Sequence, residues 1–578
     1  VTRFEVWAPL AQSVRLSWRG PPVQLTPTAR GYFAADVPDA VAGTEYRFVL
    51  NDGKPVPDPR SPHQPEGIDG PSRVVDHSRF QWTDAGFPGL RLASAVLYEL
   101  HVGTFSSEGT FDGAIAHLDY LVDLGVDAVE LMPVAQFSGR HGWGYDGVDL
   151  FAPHEAYGSP DSLKRLVDAC HARGLGVILD VVYNHFGPAG NYLPQYGPYL
   201  TDRYKTPWGG ALNFSYEDSQ PVRDFVCENA LSWLRDYHFD GLRLDAIHAI
   251  VDTSARHILE ELSDRVAVLA AEVKRPLWLI AESDLNDPRI VEQKSRRGHG
   301  LDAQWSDDFH HALHAVLTGE KDGYYADFGT LEQLARALTD VFVYDGRYSE
   351  FRRRVHGRSA EGIPDERFVV YSQNHDQVGN RARGERTSQL VSPGLCRVAA
   401  ALVLTAPFVP MLFQGEEWGA STPFLYFTDH ADPELAQAVR EGRAQEFDGE
   451  GFRSGTVPDP QAPETFERSR LRWDERVQAP HAEMFLFYRA LLRLRREHPD
   501  LGGAGKERPT VTVDEARRVL VVRRGTVRIA CNFSSERVEL ESSTAATALL
   551  ASDAATTVAD GTVTLTKESV LVYQDVGT

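Results

Sequence analysis

Between residues 95 and 414 a short run, in most cases near-continuously apolar, recurs eight times, at 95–100, 128–133, 176–182, 239–246, 276–282, 301–305, 367–373 and 409–414. Strands buried on both faces read as near-continuous apolar runs of this kind. Amphipathic stretches fill several of the gaps. Apolar spacing of three and four predicts a helix over about 112–124, with Ile115, Leu118, Leu121 and Val122 on one face. A second helix is predicted around Leu163, Leu166, Val167 and Cys170, ended by Gly174, with others over about 222–236 and 256–273. Eight strands alternating with helices predict an α/β chain built on a (β/α)8 barrel. On periodicity alone a doubly wound sheet competes with it.

The flanks have a different rhythm. Residues 1–90 hold short strands near 4–9, 13–18, 32–37 and 45–50, punctuated by Gly and Pro, and predict an N-terminal immunoglobulin-like β-sandwich. Within it, 51–90 reads as a connecting segment. A helix is predicted over 481–497, with Phe485, Tyr488, Leu491 and Leu492 on one face, and strands return after Pro499 as a C-terminal β-sandwich. The expected division is 1–90, 91–500 and 501–578. Two segments, 184–220 and 419–480, are too long for ordinary connections, and long loops at the carboxyl end of a barrel build its site.

The formal net charge of −23 argues against nucleic acid or an anionic membrane as partner, because both demand basic surface. Cys170, Cys227, Cys396 and Cys531 are far apart and form no metal-binding pair, so buried free thiols in a cytoplasmic protein are expected. No apolar stretch reaches membrane-spanning length. No cofactor and no metal are expected.

Chemistry gathers where the runs end. The third run ends near Asp180, Asn184 and His185, the fourth in Arg243-Leu244-Asp245, and the fifth in Glu282. The seventh leads into Asn374-His375-Asp376. Catalytic side chains of a parallel barrel sit at these carboxyl ends. A period of two turns Arg243 and Asp245 to the same side, and a neighbouring guanidinium holds a carboxylate ionised. Glycoside hydrolysis needs one ionised carboxylate and one protonated carboxyl. Asp245 suits the first task. Glu282, after Leu277-Trp278-Leu279-Ile280, is expected in an apolar setting that keeps it protonated.

Four segments carry a family resemblance: Asp180-Val181-Val182-Tyr183-Asn184-His185, Gly241-Leu242-Arg243-Leu244-Asp245, Ile280-Ala281-Glu282 and Asn374-His375-Asp376. In that order they resemble the signature segments of the α-amylase superfamily of retaining α-glycosidases. The resemblance implies Asp245 as nucleophile, Glu282 as acid/base and Asp376 as the residue that grips and distorts the sugar. It implies sugar binding by His185 and His375 and stacking by Tyr145 in Trp143-Gly144-Tyr145-Asp146, with His248 a candidate for the neighbouring sugar. Residues 300–311, 423–430 and 440–443 resemble members that cut the α-1,4 bond next to a terminal α,α-trehalose. Such an enzyme would work beside another that forms its trehalose-capped substrate. A glycogen-branching enzyme and a non-catalytic glucan-binding relative are the rivals.

Bland readings stand beside several of these residues. Trp208, in the long segment after the third run, is either a stacking platform or loop packing, and Tyr426 and His430 carry the same choice. Asp180 alone could merely orient its neighbours. His310-His311 read as helix-surface residues, and Arg352-Arg353-Arg354 as a solvated face.

Overall fold

The computed structural model describes residues 1–206, 208–447, 456–502 and 508–575. Part of the 419–480 segment, 448–455, therefore lies outside the described residues. Eight parallel strands close on themselves: β1 (Leu97–Leu100), β2 (Ala128–Leu131), β3 (Gly176–Val181), β4 (Gly241–Leu244), β5 (Trp278–Ala281), β6 (Ala303–Trp305), β7 (Phe368–Val370) and β8 (Val409–Phe413). Each pairs with the next in sequence, and β8 returns to β1. This is the expected (β/α)8 barrel, and the doubly wound alternative is excluded by closure. The lower interior is apolar, filled by Leu97, Ala128, Ile178, Ile280, Ala303, Val369 and Met411. Period-two alternation then puts Glu99, Glu130, Asp180 and Arg243 one layer higher on the same inner face.

Two sandwich-like β regions flank the barrel. In the N-terminal one, Thr2–Trp7 pairs with Tyr32–Val37, and Val14–Trp18 pairs with Glu45–Leu50. The two sheets meet where Phe4 packs edge-on against Tyr46 at 4.8 Å. In the C-terminal one, Val519–Arg524, Val527–Asn532 and Ser569–Gln574 form an antiparallel core. A smaller sheet holds Val538–Glu541, Thr557–Ala559 and Thr562–Leu565. The helix His481–Glu497 has the expected span and buries Tyr488, Leu491 and Leu492. All four cysteines are buried and free. Among the described residues, no helix is long and apolar enough to cross a membrane.

Several local expectations are corrected. The helix expected over 112–124 is two short ones, Phe111–Ile115 and Leu118–Leu124, and Val122 is 43% exposed. The second helix buries Leu118, Leu121 and Leu124, and Val122 falls outside that arc. Residues 51–90 are more than a connection, since Pro55–Val56 and Ser72–Arg73 both pair with Glu45–Leu50. The 184–220 segment carries an antiparallel ribbon, Leu200–Thr206 with Gly209–Leu212. His310 and His311 are buried, not on a helix surface, because Asp307–Thr318 packs nearly all round. Arg352 leaves its basic run and lies largely covered, 4.0 Å from Asp284.

Candidate active site

The site grows from the polar layer at the carboxyl ends of the strands. Arg243 stands opposite Asp180 in the β3–β4 register. Its guanidinium is 1% exposed and lies over the ring of Trp305, 4.3 Å from the centroid. Nη1 donates to Asp180 Oδ2 at 2.6 Å and to Asp245 Oδ1 at 3.0 Å, while Nη2 is 3.0 Å from Glu282 Oε2. One planar fork thus holds three carboxyl groups from three strand ends. Burial pushes Asp180 up to about 7, against the pull of Arg243.

Asp245 is fixed on its other side by Asn184, whose Nδ2 donates to its Oδ2 and to its backbone oxygen, each at 2.8 Å. The next residue, Ala246, has φ of 38°, left-handed for a non-glycine. That turn aims its N–H at Glu282 Oε2, 2.6 Å away. Strain of this kind persists only where the surroundings enforce it. The apolar setting expected for Glu282 is therefore not found. Its carboxyl sits between the Arg243 guanidinium and a backbone N–H, because the left-handed turn at Ala246 brings that N–H to it.

Asn374 caps the helix His375–Gly379 and accepts from the N–H groups of Asp376 and Gln377, with Gln377 returning the bond. This capping box sets the directions of His375 and Asp376. His375 Nδ1 bonds Glu99 Oε1, and its backbone N donates to Glu99 Oε2 at 2.9 Å. The Tyr145 hydroxyl lies 2.8 Å from His375 Nε2 and donates its one proton to Asp180 Oδ2 at 2.7 Å. With that proton committed to Asp180, the Tyr145 oxygen is left to accept from Nε2 of a positively charged His375 ring. Burial works against that charge, and Glu99 overcomes it, so the His375 pKa is raised. Burial also raises the Asp376 pKa, which His375 opposes.

Tyr145 reaches this network because Gly144 precedes it. Gly144 has φ of 100°, and a Cβ there would stand 2.1 Å from Pro133 O. His185 bonds Asn184 Oδ1 through Nδ1 and the Tyr145 carbonyl at 3.0 Å through Nε2. Its ring stacks on Trp208, 4.8 Å between centroids, leaving Trp208 49% exposed over the opening.

These groups surround a cavity of about 610 Å³, inside the ~300–1,000 Å³ range of small-molecule sites. Asp245, Glu282, Asp376, Tyr145, His185, Trp208, Arg243, His248, His375 and Tyr426 all line it. His430 does not. Its ring is covered and stands 3.8 Å from the carboxylate of the lining residue Asp146. Reading along the chain missed Asp284, Asp307, Asn380, Arg443 and Glu446, which also face the cavity. Asp307 follows β6 directly, so the strand-end rule could have found it. Burial, then the charge of Glu282, pushes its carboxyl up to about 7. Glu99 was also missed, although a lone acid at an inward position of an apolar strand is a signal. Among the described residues no group of three or more His, Cys, Asp and Glu is arranged for a metal ion. A cavity with this many acids repels anions and suits an uncharged, hydroxyl-rich ligand.

Comparison with known proteins follows the same lines. The alpha-amylase catalytic-domain family matches residues 74–205, and a domain of unknown function, DUF3459, matches residues 504–572. The malto-oligosyltrehalose trehalohydrolase of Arthrobacter ramosus is 51% identical over 91% of this chain and 92% of its own. That of Mycobacterium tuberculosis (strain CDC 1551 / Oshkosh) is 49% identical over 92% of this chain and 93% of its own. A crystal structure of an alpha-amylase-like protein from Salmonella typhimurium superposes with a TM-score of 0.90 at 42% identity, covering 99% of this chain and 97% of that one.

Proposed function

The chain belongs to the malto-oligosyltrehalose trehalohydrolases of the α-amylase superfamily, and from that premise we propose how its residues divide the reaction. The enzyme hydrolyses the α-1,4-glucosidic bond next to the terminal α,α-trehalose of malto-oligosyltrehalose. The products are trehalose and a maltooligosaccharide. The observation that carries the residue assignment is the Arg243 fork, with Asp245 on one nitrogen and Glu282 on the other.

Asp245 is the nucleophile. Its carboxylate oxygen forms a bond to the anomeric carbon as the bond to the trehalose 4-oxygen breaks. Glu282 delivers its proton to that leaving oxygen. Trehalose departs, and the maltooligosyl unit remains as an ester of Asp245. Glu282, now ionised, takes a proton from a water that attacks the anomeric carbon from the face trehalose left. The ester breaks and Asp245 is restored. Two inversions give net retention. Asp376 holds the sugar hydroxyls beside the reacting carbon, with His185 and His375 as further hydroxyl partners. Tyr145 and Trp208 supply apolar ring faces. His248 and Tyr426 serve neighbouring sugars. His430 supports the wall through Asp146 instead of touching sugar.

No cofactor enters this scheme. We place the protein in the cytoplasm beside an enzyme that forms malto-oligosyltrehalose, and divide the chain at 1–90, 91–500 and 501–578. Incubation of the pure protein with malto-oligosyltrehalose and, separately, with amylose tests the reading. Free trehalose from the first is expected. New α-1,6 branches in the second, without trehalose from the first, would make it a branching enzyme. Inertness toward both would make it a glucan-binding relative.

A further inference from the structure

The helix Pro433–Glu446 belongs to the long segment after β8 and lays one side along the cavity. Its Arg443 is buried. The guanidinium packs over the rings of Tyr426 and Phe447, at 4.9 and 4.6 Å. Nη2 donates to the Gly379 carbonyl at 2.6 Å, and Nη1 to Glu446 Oε2 at 3.0 Å and Asn380 Oδ1 at 3.2 Å. Glycine at 379 lets this corner close, since a Cβ there would stand 2.1 Å from the Trp143 ring.

The contact with Asn380 has a consequence for the reacting sugar. A primary amide has an accepting end and a donating end. With Arg443 on Oδ1, the NH2 of Asn380 must face the other way. There it donates to Asp376 Oδ1 at 2.6 Å. The Asn380 backbone N–H also donates to the Asp376 carbonyl, at 2.9 Å, which fixes the amide one turn beyond the acid. A flipped amide would set its oxygen against the carboxylate and its NH2 against the guanidinium, unfavourable at both ends.

We propose that Arg443 is a positioning residue for Asp376. It locks the Asn380 amide so that its NH2 holds the Asp376 carboxylate toward the sugar. The link joins the helix after β8 to the first turn after β7. It rests on the role given above to Asp376.

Steady-state kinetics of Asn380→Ala, Arg443→Gln, Arg443→Lys and the double variant Asn380→Ala/Arg443→Gln test this. Loss of a hydrogen bond to a charged group predicts a fall in kcat of about 10- to 100-fold for Asn380→Ala, with KM within about twofold. Arg443→Gln lowers kcat in the wild-type background. In the Asn380→Ala background it costs less than about twofold, because the route to Asp376 is already cut. Arg443→Lys recovers part of the activity. Losses that simply multiply in the double variant, or that fall on KM alone, would overturn the proposal. Should Arg443→Gln fail to fold in a thermal melt, Asn380→Asp decides the matter. It sets a second carboxylate against Asp376 and must move the kcat–pH profile, and an unmoved profile contradicts the link. Asp376→Asn is the control. If it keeps full kcat, the assignment of Asp376 has failed and not the Arg443 link.

Discussion

Arg243 has no neutral substitute. Its guanidinium is buried against Trp305 and satisfies Asp180, Asp245 and Glu282 together. Removing one partner of a buried ion network leaves uncompensated charge. Arg243→Met should therefore cost about 3–5 kcal/mol of stability, read by denaturant unfolding, and abolish turnover. Arg243→Lys keeps the charge but not the fork, so it should fold and still lose most activity. Glu282→Gln should separate chemistry from folding. A loss of about 10²–10⁴-fold in kcat with little change in the melting temperature is expected, and undiminished hydrolysis would refute the acid/base assignment. Asp245, Glu282 and Asp376 were legible in the sequence because each ends an apolar run or lies just past one. Asn380 acts on Asp376 across a helical turn, which no local pattern announces, whereas Glu99, which holds His375, left a signal as a lone acid in an apolar strand. His430 misled for the opposite reason. It stands near the site in sequence, yet its covered ring faces Asp146 at 3.8 Å and is not among the residues that line the cavity.

At the scale of elements, the site depends on how strands end. The capping box of Asn374 and Gln377 turns β7 into a helix within a few residues and fixes His375 and Asp376 in its first turn. Ala246 does the equivalent after β4 by accepting a left-handed turn. Gly379 closes the other side of the helix His375–Gly379 against Trp143, whose indole N–H donates to the Leu425 carbonyl at 2.9 Å. Gly379→Ala should displace that ring and cost about 1–3 kcal/mol. Activity should fall with it, because Trp143 lines the cavity. Changes in melting temperature and kcat/KM check this, and a fully stable, fully active variant would show that the ring can give way. The barrel strands were readable because burial on both faces leaves an unbroken apolar run. The ribbon Leu200–Thr206 and Gly209–Leu212 was not, since its residues are mostly polar or Gly and carry no apolar alternation. The helix over 112–124 was mispredicted for a related reason. Periodicity counted Val122 as buried but could not see the break near Ala116 that resets the helix.

The molecule as a whole carries many buried titratable groups, and they set its response to pH. Burial holds His101, His154 and His311 down to about 3 and His63, His77 and His257 to about 4. For each, the unfolded chain takes a proton first, so stability falls as pH drops below 6.5. Burial raises Asp180, Asp307 and Glu417 to about 7 and Asp308 to about 6. For these the native chain holds the extra proton, and stability rises as pH falls through that range to about 4. The two sets act in opposite directions, so each is read at its own site. Removing the buried imidazole in His101→Gln should weaken the loss of melting temperature between pH 6.5 and pH 4, and an unchanged slope would contradict that environment. The flanking sandwiches and the eight barrel strands were foreseen from rhythm, but rhythm left a doubly wound sheet in competition, which the closure of β8 on β1 excludes. The trehalose end of the substrate was not, because a leaving group leaves no periodicity in a sequence, and its assignment rests on relatedness. The most direct test of the account follows malto-oligosyltrehalose by proton NMR during the first turnovers. The account predicts free trehalose together with a maltooligosaccharide whose new reducing end is first the α-anomer. A β-anomer formed first would contradict double displacement at Asp245, and products without trehalose would contradict the cleavage site.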